Sequence, residues 1–276
     1  MCQFYFSQGT VVTCASLADE HLVIPDGTRV IGRGAFMGNR QIRTVKVPEG
    51  VTVIESEAFY GCQNLVSVEL PDTVTTIGAA AFSGSDSLRR LVFPKHLQRL
   101  ENHICAWCSA LEDVRLPEDL VEVGDWAFFN ARISTLGHPL MLNSVGEAAF
   151  FNCKLLGEAN AISSVSQFGA SAFSGCASLR SVTIPNVESI PNFAFFGCES
   201  LEEVHIPDTV RTIGKCAFCD CRNLKRVILS KRAKLSRIGT MAFWNTGVVK
   251  EQFPAKVLSD AKAFGTMKGV ISCTAE

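Results

Sequence analysis

The 276-residue chain is 47% hydrophobic and 19% charged, enough apolar material to bury a sizeable core as one elongated or two compact domains, which excludes a disordered polypeptide. A formal net charge of −1 gives no electrostatic reason to expect nucleic acid or an anionic membrane surface as partner. The twelve cysteines are about 4% of the residues, well below the roughly 8–10% of a small disulfide-held scaffold.

Residues 1–24 lack both the basic flank and the continuous apolar run of a secretory signal, and no later segment approaches the roughly 20 apolar residues of a membrane span. No Asn begins an N-x-Ser/Thr acceptor, which disfavours a glycosylated exterior. This flank holds at most one degenerate repeat, and residues 25–276 read as one repeat domain. From there a frame, I-x-x-x-A-F-x-x-x-x-x-L, recurs with its aromatic at Phe36, Phe59 and Phe82. Counting 23 residues on from Phe82 reaches Cys105, which fills the aromatic's place. The frame then continues through Phe128, Phe150, Phe173, Phe195, Phe218, Phe243 and Phe264, about eleven repeats spaced by 21 to 25 residues.

After each aromatic comes L-x-x-V-x-[IL]-P, as in Leu65, Val68, Leu70 and Pro71, or Leu201, Val204, Ile206 and Pro207. A short β-rich run meets a proline that ends it. V-x-x-I-G follows, as in Val74, Ile77 and Gly78, where glycine suits a turn and Ala-Phe drops back into the core. A 23-residue unit cannot bury its own apolar side, so the coils must stack, with one strand per coil in a parallel sheet. At about 4.8 Å between strands the body is roughly 50 Å long. The 20-to-29-residue period with this strand pattern is the leucine-rich repeat signature.

The unit L-x-x-V-x-I-P-x-x-V-x-x-I-G-x-x-A-F-x-G-C, nearly complete at residues 201–221 and 65–85, resembles the BspA-like class of leucine-rich repeats. The resemblance covers roughly residues 25–276. It implies a curved, right-handed solenoid, with turns and short helical or 3-10 segments opposite the sheet. It also implies binding and not catalysis, since known members are often surface or secreted adhesion proteins. The expected function is a non-catalytic interaction module or scaffold for a protein or peptide ligand, without cofactor. The alternative is an exported adhesin for host or matrix proteins. The chain as written favours an intracellular location; a fragment of a longer protein would fit the cell surface or secretion. Two coils depart from the pattern: Leu156, Ala159 and Ala161 are followed by no proline, and Ser230 stands where proline is usual. The chain stops at GVISCTAE without a polar capping segment, so the solenoid is expected to be uncapped or truncated at its C-terminus.

Three residues past each core position lie Asn39, Cys62, Ser85, Cys108, Ala131, Cys153, Cys176, Cys198, Cys221, Thr246 and Met267. Mostly small residues at a fixed phase read as a stacked interior column in which cysteine acts as a small hydrophobe. Neighbouring rungs at about 4.8 Å fall inside the Cα window for disulfides, so a pair such as Cys153 and Cys176 is open to oxidation, though parallel Cβ directions would strain it. Cys216 and Cys219 make a C-x-x-C-x-C cluster with Cys221, but they occupy variable, peripheral phases and no second ligand pair is near. A metal or redox site there is therefore a minor alternative. His103, Cys105 and Cys108, with His96 nearby, make a second weak metal reading. No phosphate-binding or nucleophile-elbow motif is present, and GRGAFMG is one residue too long for the dinucleotide fingerprint.

Leucine-rich solenoids act through the open face of the sheet. The flanks of each inward valine nominate Lys46, Glu69, Arg90, Asp113, Arg115, Glu158, Glu203, His205 and Arg226 as ligand-binding residues, with Thr44, Ser67, Val92, Thr135, Gly137, Asn160, Ser181, Thr183 and Ile228 beside them. Their signs alternate from coil to coil, which suits a partner of mixed character or a solvated face whose opposite charges satisfy one another. A second candidate surface is the run of large residues just after the core position: Tyr60, Phe129, Phe151, Phe196 and Trp244.

Overall fold

The computed structural model describes residues 4–7, 10–14, 20–136, 141–159, 162, 164–260 and 262–265. The chain is a solenoid of stacked coils around one continuous core. On the main face the strands His21–Val23, Thr44–Lys46, Ser67–Glu69, Arg90–Val92 and Asp113–Arg115 form a parallel five-stranded sheet. Leu22, Val45, Val68, Leu91 and Val114 pair in one line. The face resumes as a three-stranded sheet of Ser181–Thr183, Glu203–Ile206 and Arg226–Leu229.

Between these two sheets, no main-face strand forms among the described residues of Ile133–Leu136 and Leu156–Ala159. Gly157 and Ala159, poor strand formers, occupy strand positions there. Gly137, Asn160, His138, Ala161 and Met267 lie outside the described residues.

Each coil also carries a second, two-residue strand that the single-strand expectation missed. Val30–Ile31, Val53–Ile54 and Thr76–Ile77 stack in parallel, and further blocks run from Arg99–Leu100 to Gln167–Phe168 and from Ser189–Ile190 to Leu258–Ser259. At the N-terminal end Phe4–Ser7 pairs antiparallel with Thr10–Cys14, which joins this second ladder beside Val30–Ile31.

Turns make up the opposite side, whereas the 3-10 segment Lys250–Gln252 takes the main-face place after Arg226–Leu229, where the Gln252 side chain accepts the Val227 N–H at 3.3 Å and donates to the Lys225 carbonyl at 3.1 Å. Each turn follows one backbone recipe. The residue two before the core position has positive φ in every described coil, from Gly34 and Glu57 to Lys262. So does the residue two after it, from Gly38 to Asn245. From the Phe36 coil to the Phe243 coil, these two residues and the core residue all donate their N–H to the next coil, as Glu57 does to Ala79, Phe59 to Ala81 and Gly61 to Ser83 at 2.7–2.9 Å. The left-handed backbone is thus repaid by satisfied donors.

The glycine of the I-G dipeptide serves close approach, not turn freedom as its sequence suggested. Gly78 has no positive φ, yet a Cβ there would lie 2.4 Å from the Ser56 nitrogen. Its contact is backbone of the preceding coil, so any side chain must push the coils apart.

The core phenylalanines form a stack in two runs. Phe36, Phe59 and Phe82 lie 5.2 and 5.6 Å apart, and Phe128 through Phe264 repeat the spacing at 5.3 to 5.6 Å. Cys105 interrupts this stack. Phe93, where other coils carry Val47 or Leu70, is buried and sets its ring edge-on against Phe128 at 6.5 Å.

Candidate functional site

The cysteine column lies in the core, where Cys62, Cys108, Cys153, Cys176, Cys198 and Cys221 are fully buried and free. Each thiol donates to the carbonyl of the core phenylalanine of the preceding coil. Cys62 Sγ lies 3.2 Å from Phe36 O, Cys153 3.2 Å from Phe128 O, Cys176 3.3 Å from Phe150 O and Cys221 3.0 Å from Phe195 O. Ser85 makes the same bond to Phe59 O at 3.2 Å. The six cysteines and Ser85 thus give this column a small side chain with a donor, which only Ala131 among its small members lacks; the hydrophobe reading omitted this role, and the serine at the same phase betrays it. Burial pushes the Cys62 thiol up to about 12, and burial likewise raises Cys153 and Cys176. These thiols stay protonated near neutral pH and are poor nucleophiles. Replacing Cys176 by Ser should leave stability within about 1 kcal/mol, whereas Ala, which loses the donor and opens a void, should cost about 1–2 kcal/mol more in urea denaturation.

The C-x-x-C-x-C stretch splits. Cys221 faces Phe195 O, while Cys216 and Cys219 are free thiols that interact with each other, and Cys219 Sγ also donates to Asp220 Oδ2 at 3.8 Å. The latter two were expected at the periphery but are 5% and 2% exposed. Their thiols are small, and the same phases of the flanking coils carry the larger Phe193, Phe196 and Trp244. Burial is also the main cause that raises Cys219 to about 12, with Asp220 adding to it. In the other weak metal set, Cys105 and Cys108 are buried, His103 is exposed and stacks on Trp126, and His96 turns to Asp119 at 2.8 Å. No group of three or more His, Cys, Asp or Glu is disposed to hold a metal among the described residues.

The nine nominated open-face residues all lie on the outer side of their coils, but they do not form one uniform surface. Arg90 pairs with Asp113 of the next coil at 3.2 Å, both side chains being more than 60% exposed. Glu203 is the most enclosed, at 18% side-chain exposure, and is saturated: His205 Nε2 reaches it at 2.6 Å and Arg226 Nη2 at 2.5 Å. Lys46, Glu69 and Arg115 are exposed and make no ion pair among the described residues, although Lys46 and Glu69 are neighbours in strand register. Glu158 is exposed on a coil without a strand, apart from the others.

A groove of about 900 Å³ runs beside the N-terminal sheet, lined by Glu20, Arg40, Arg43, Asn64, Asp86 and Arg89, among others. Arg43 approaches Glu20 at 3.7 Å, while the Arg40 and Arg89 side chains have no partner among the described residues. Arg43 and Arg89 occupy the first x of L-x-x-V. Sequence reading had assigned the open face only to the residues flanking the valine. The shared phase of these two arginines was the available signal.

The match to the family model described as a BspA type leucine rich repeat region spans residues 29–157 and 143–265. No curated protein matches the sequence. Among solved structures, a leucine-rich repeat protein from Bacteroides ovatus is 22% identical, covering 96% of this chain and 88% of its own, with a TM-score of 0.57. The T. pallidum leucine rich repeat protein is 26% identical over 73% of this chain and 86% of its own, with a TM-score of 0.48. A leucine rich cell surface protein from Faecalibacterium prausnitzii is 20% identical over 83% and 93%, with a TM-score of 0.45. No helix among the described residues is long and apolar enough to cross a membrane.

Proposed function

The chain belongs to the BspA-type leucine-rich repeat family, and from that premise we propose that it is a non-catalytic module that binds a protein or peptide through the N-terminal half of its open face. The observation that carries the reading is the contrast in charge pairing between the two sheets. In the C-terminal sheet Glu203 already satisfies Arg226 and His205, so a partner would have to break bonds to use them. In the N-terminal sheet Lys46, Glu69 and Arg115 make no ion pair among the described residues, and the adjoining groove adds the Arg40 and Arg89 guanidiniums, which have no partner among those residues either. Unpaired charges of both signs on a rigid sheet give a ligand complementary contacts at little reorganisation cost, and arginine's planar fork suits carboxylates.

The test is affinity capture with the whole chain as bait. A genuine ligand is retained by the wild type and by Arg226→Ala, but loses at least about tenfold in affinity on Lys46→Glu/Arg115→Glu, the factor that about 1.4 kcal/mol of lost complementarity represents. Equal retention by both variants would sink this placement.

A further inference from the structure

The turn side of the Cys105, Phe128 and Phe150 coils carries an aromatic terrace that the core does not use. Trp107 meets Phe129 at 5.0 Å, Phe129 meets Trp126 at 4.8 Å and Phe151 at 5.0 Å, and His103 stacks on Trp126 at 6.1 Å. Phe129 and Phe151 stand in the expected run of large residues, while Trp107 and Trp126 arrive from other phases. Trp107 is 56% exposed with φ +62°. In every other described coil that left-handed position is Gly, Asn or Asp, the residues that tolerate it. An exposed, left-handed tryptophan adds only its edge contact with Phe129 to the fold, where glycine would fit the turn without strain, which points to a use outside the core.

The nature of the partner follows from a comparison within the chain. At Phe193 the N–H bonds to Lys215 of the next coil at 2.9 Å, and the Lys215 ammonium lies over the Phe193 ring, 5.9 Å from its centroid. Trp126 holds the equivalent place three coils earlier, with its N–H bonded at 2.8 Å to Glu147. The residue that supplies a cation to Phe193 is thus a carboxylate beside Trp126. Asp125 holds the same place opposite His103, whose N–H bonds to it at 2.9 Å, and its carboxylate accepts the Glu147 N–H at 2.7 Å. Asp125 and Glu147 are exposed, and neither has an ion pair among the described residues. The terrace therefore offers open aromatic faces and unopposed negative charge, the pairing that holds a lysine or arginine side chain.

We propose that the terrace of Trp107, Trp126, Phe129 and Phe151 docks a basic peptide segment, whose lysine or arginine lies on the tryptophans with Asp125 and Glu147 countering its charge. The surface is separate from the open face and stands or falls without it.

The experiment titrates the whole chain with a lysine-rich nonapeptide, following tryptophan fluorescence and calorimetry. A glutamate-rich nonapeptide and a neutral oligosaccharide serve as comparators. The expected result is binding of the basic peptide alone, weakened by salt and unchanged by Lys46→Glu/Arg115→Glu. Trp107→Gly should weaken it at least about tenfold without lowering the melting temperature, since glycine suits the left-handed turn. Glu147→Lys should do the same by placing an ammonium beside Trp126 as Lys215 lies over Phe193. Equal binding by these variants would overturn the proposal. So would Trp107-dependent binding of the oligosaccharide, or Trp107-dependent self-association in place of peptide binding.

Discussion

Phe150→Ala is expected to destabilise the chain by about 3–5 kcal/mol, the range for truncating a fully buried aromatic. Phe150 is 0% exposed and stacks on Phe128 at 5.5 Å and on Phe173 at 5.3 Å. The truncation removes both ring contacts at once, and the neighbouring coils are held at hydrogen-bond spacing by Phe128 to Ala149 and Phe150 to Ala172, each 2.8 Å, so they cannot collapse into the void. In a solenoid each coil is supported only by its neighbours, so the loss falls on the middle of the stack. Phe151→Ala, one residue on and half-buried at the surface, should cost about 1 kcal/mol or less. Urea denaturation followed by circular dichroism distinguishes them, and equal midpoints would contradict the stacked-core account.

Gly169→Ala should cost about 1–3 kcal/mol even though it adds one methyl group. A Cβ at Gly169 meets only backbone: the Glu147 nitrogen at 2.4 Å, the Glu147 Cα at 2.6 Å and the Gly146 carbonyl carbon at 2.6 Å. Relief requires the coils to separate, which stretches the 2.8 Å bond from Gly169 N–H to Val145 O. The demand is local, because Glu55, Glu101, Pro191 and Asp260 hold the same phase in other coils. Glu55 there turns its carboxylate to the Arg33 N–H at 2.7 Å. A thermal melt of Gly169→Ala indistinguishable from wild type would show that the coils have slack at this point.

The frame was legible because one large residue, Phe, recurs at a constant phase and the single exception, Cys105, falls on the count. The cysteine column was legible for the same reason. Its hydrogen bonds were not, since a buried cysteine looks alike whether or not it donates; only Ser85 carried the hint. The second ladder escaped because two residues such as Val53–Ile54 are too short for a periodic signal. The left-handed residues two before the core position escaped for another reason. Hydrogen bonds to the next coil impose that conformation on Glu57, Trp126 and Met241 alike, so composition keeps no trace of it. At the surface, the sequence supplied the open-face residues but not their pairing. Nothing in the order of Glu203, His205 and Arg226 says that one carboxylate holds both cations. The terrace was half legible, because Phe129 and Phe151 share a phase whereas Trp107 and Trp126 join them only through stacking.

The most direct test of the recognition surface is hydrogen exchange on the chain with and without the protein it captures. The account predicts slowed exchange along Thr44–Lys46, Ser67–Glu69, Arg90–Val92 and Asp113–Arg115, with Glu203–Ile206 and Arg226–Leu229 unchanged. Protection confined to the latter two strands, or to the turn side, would contradict it.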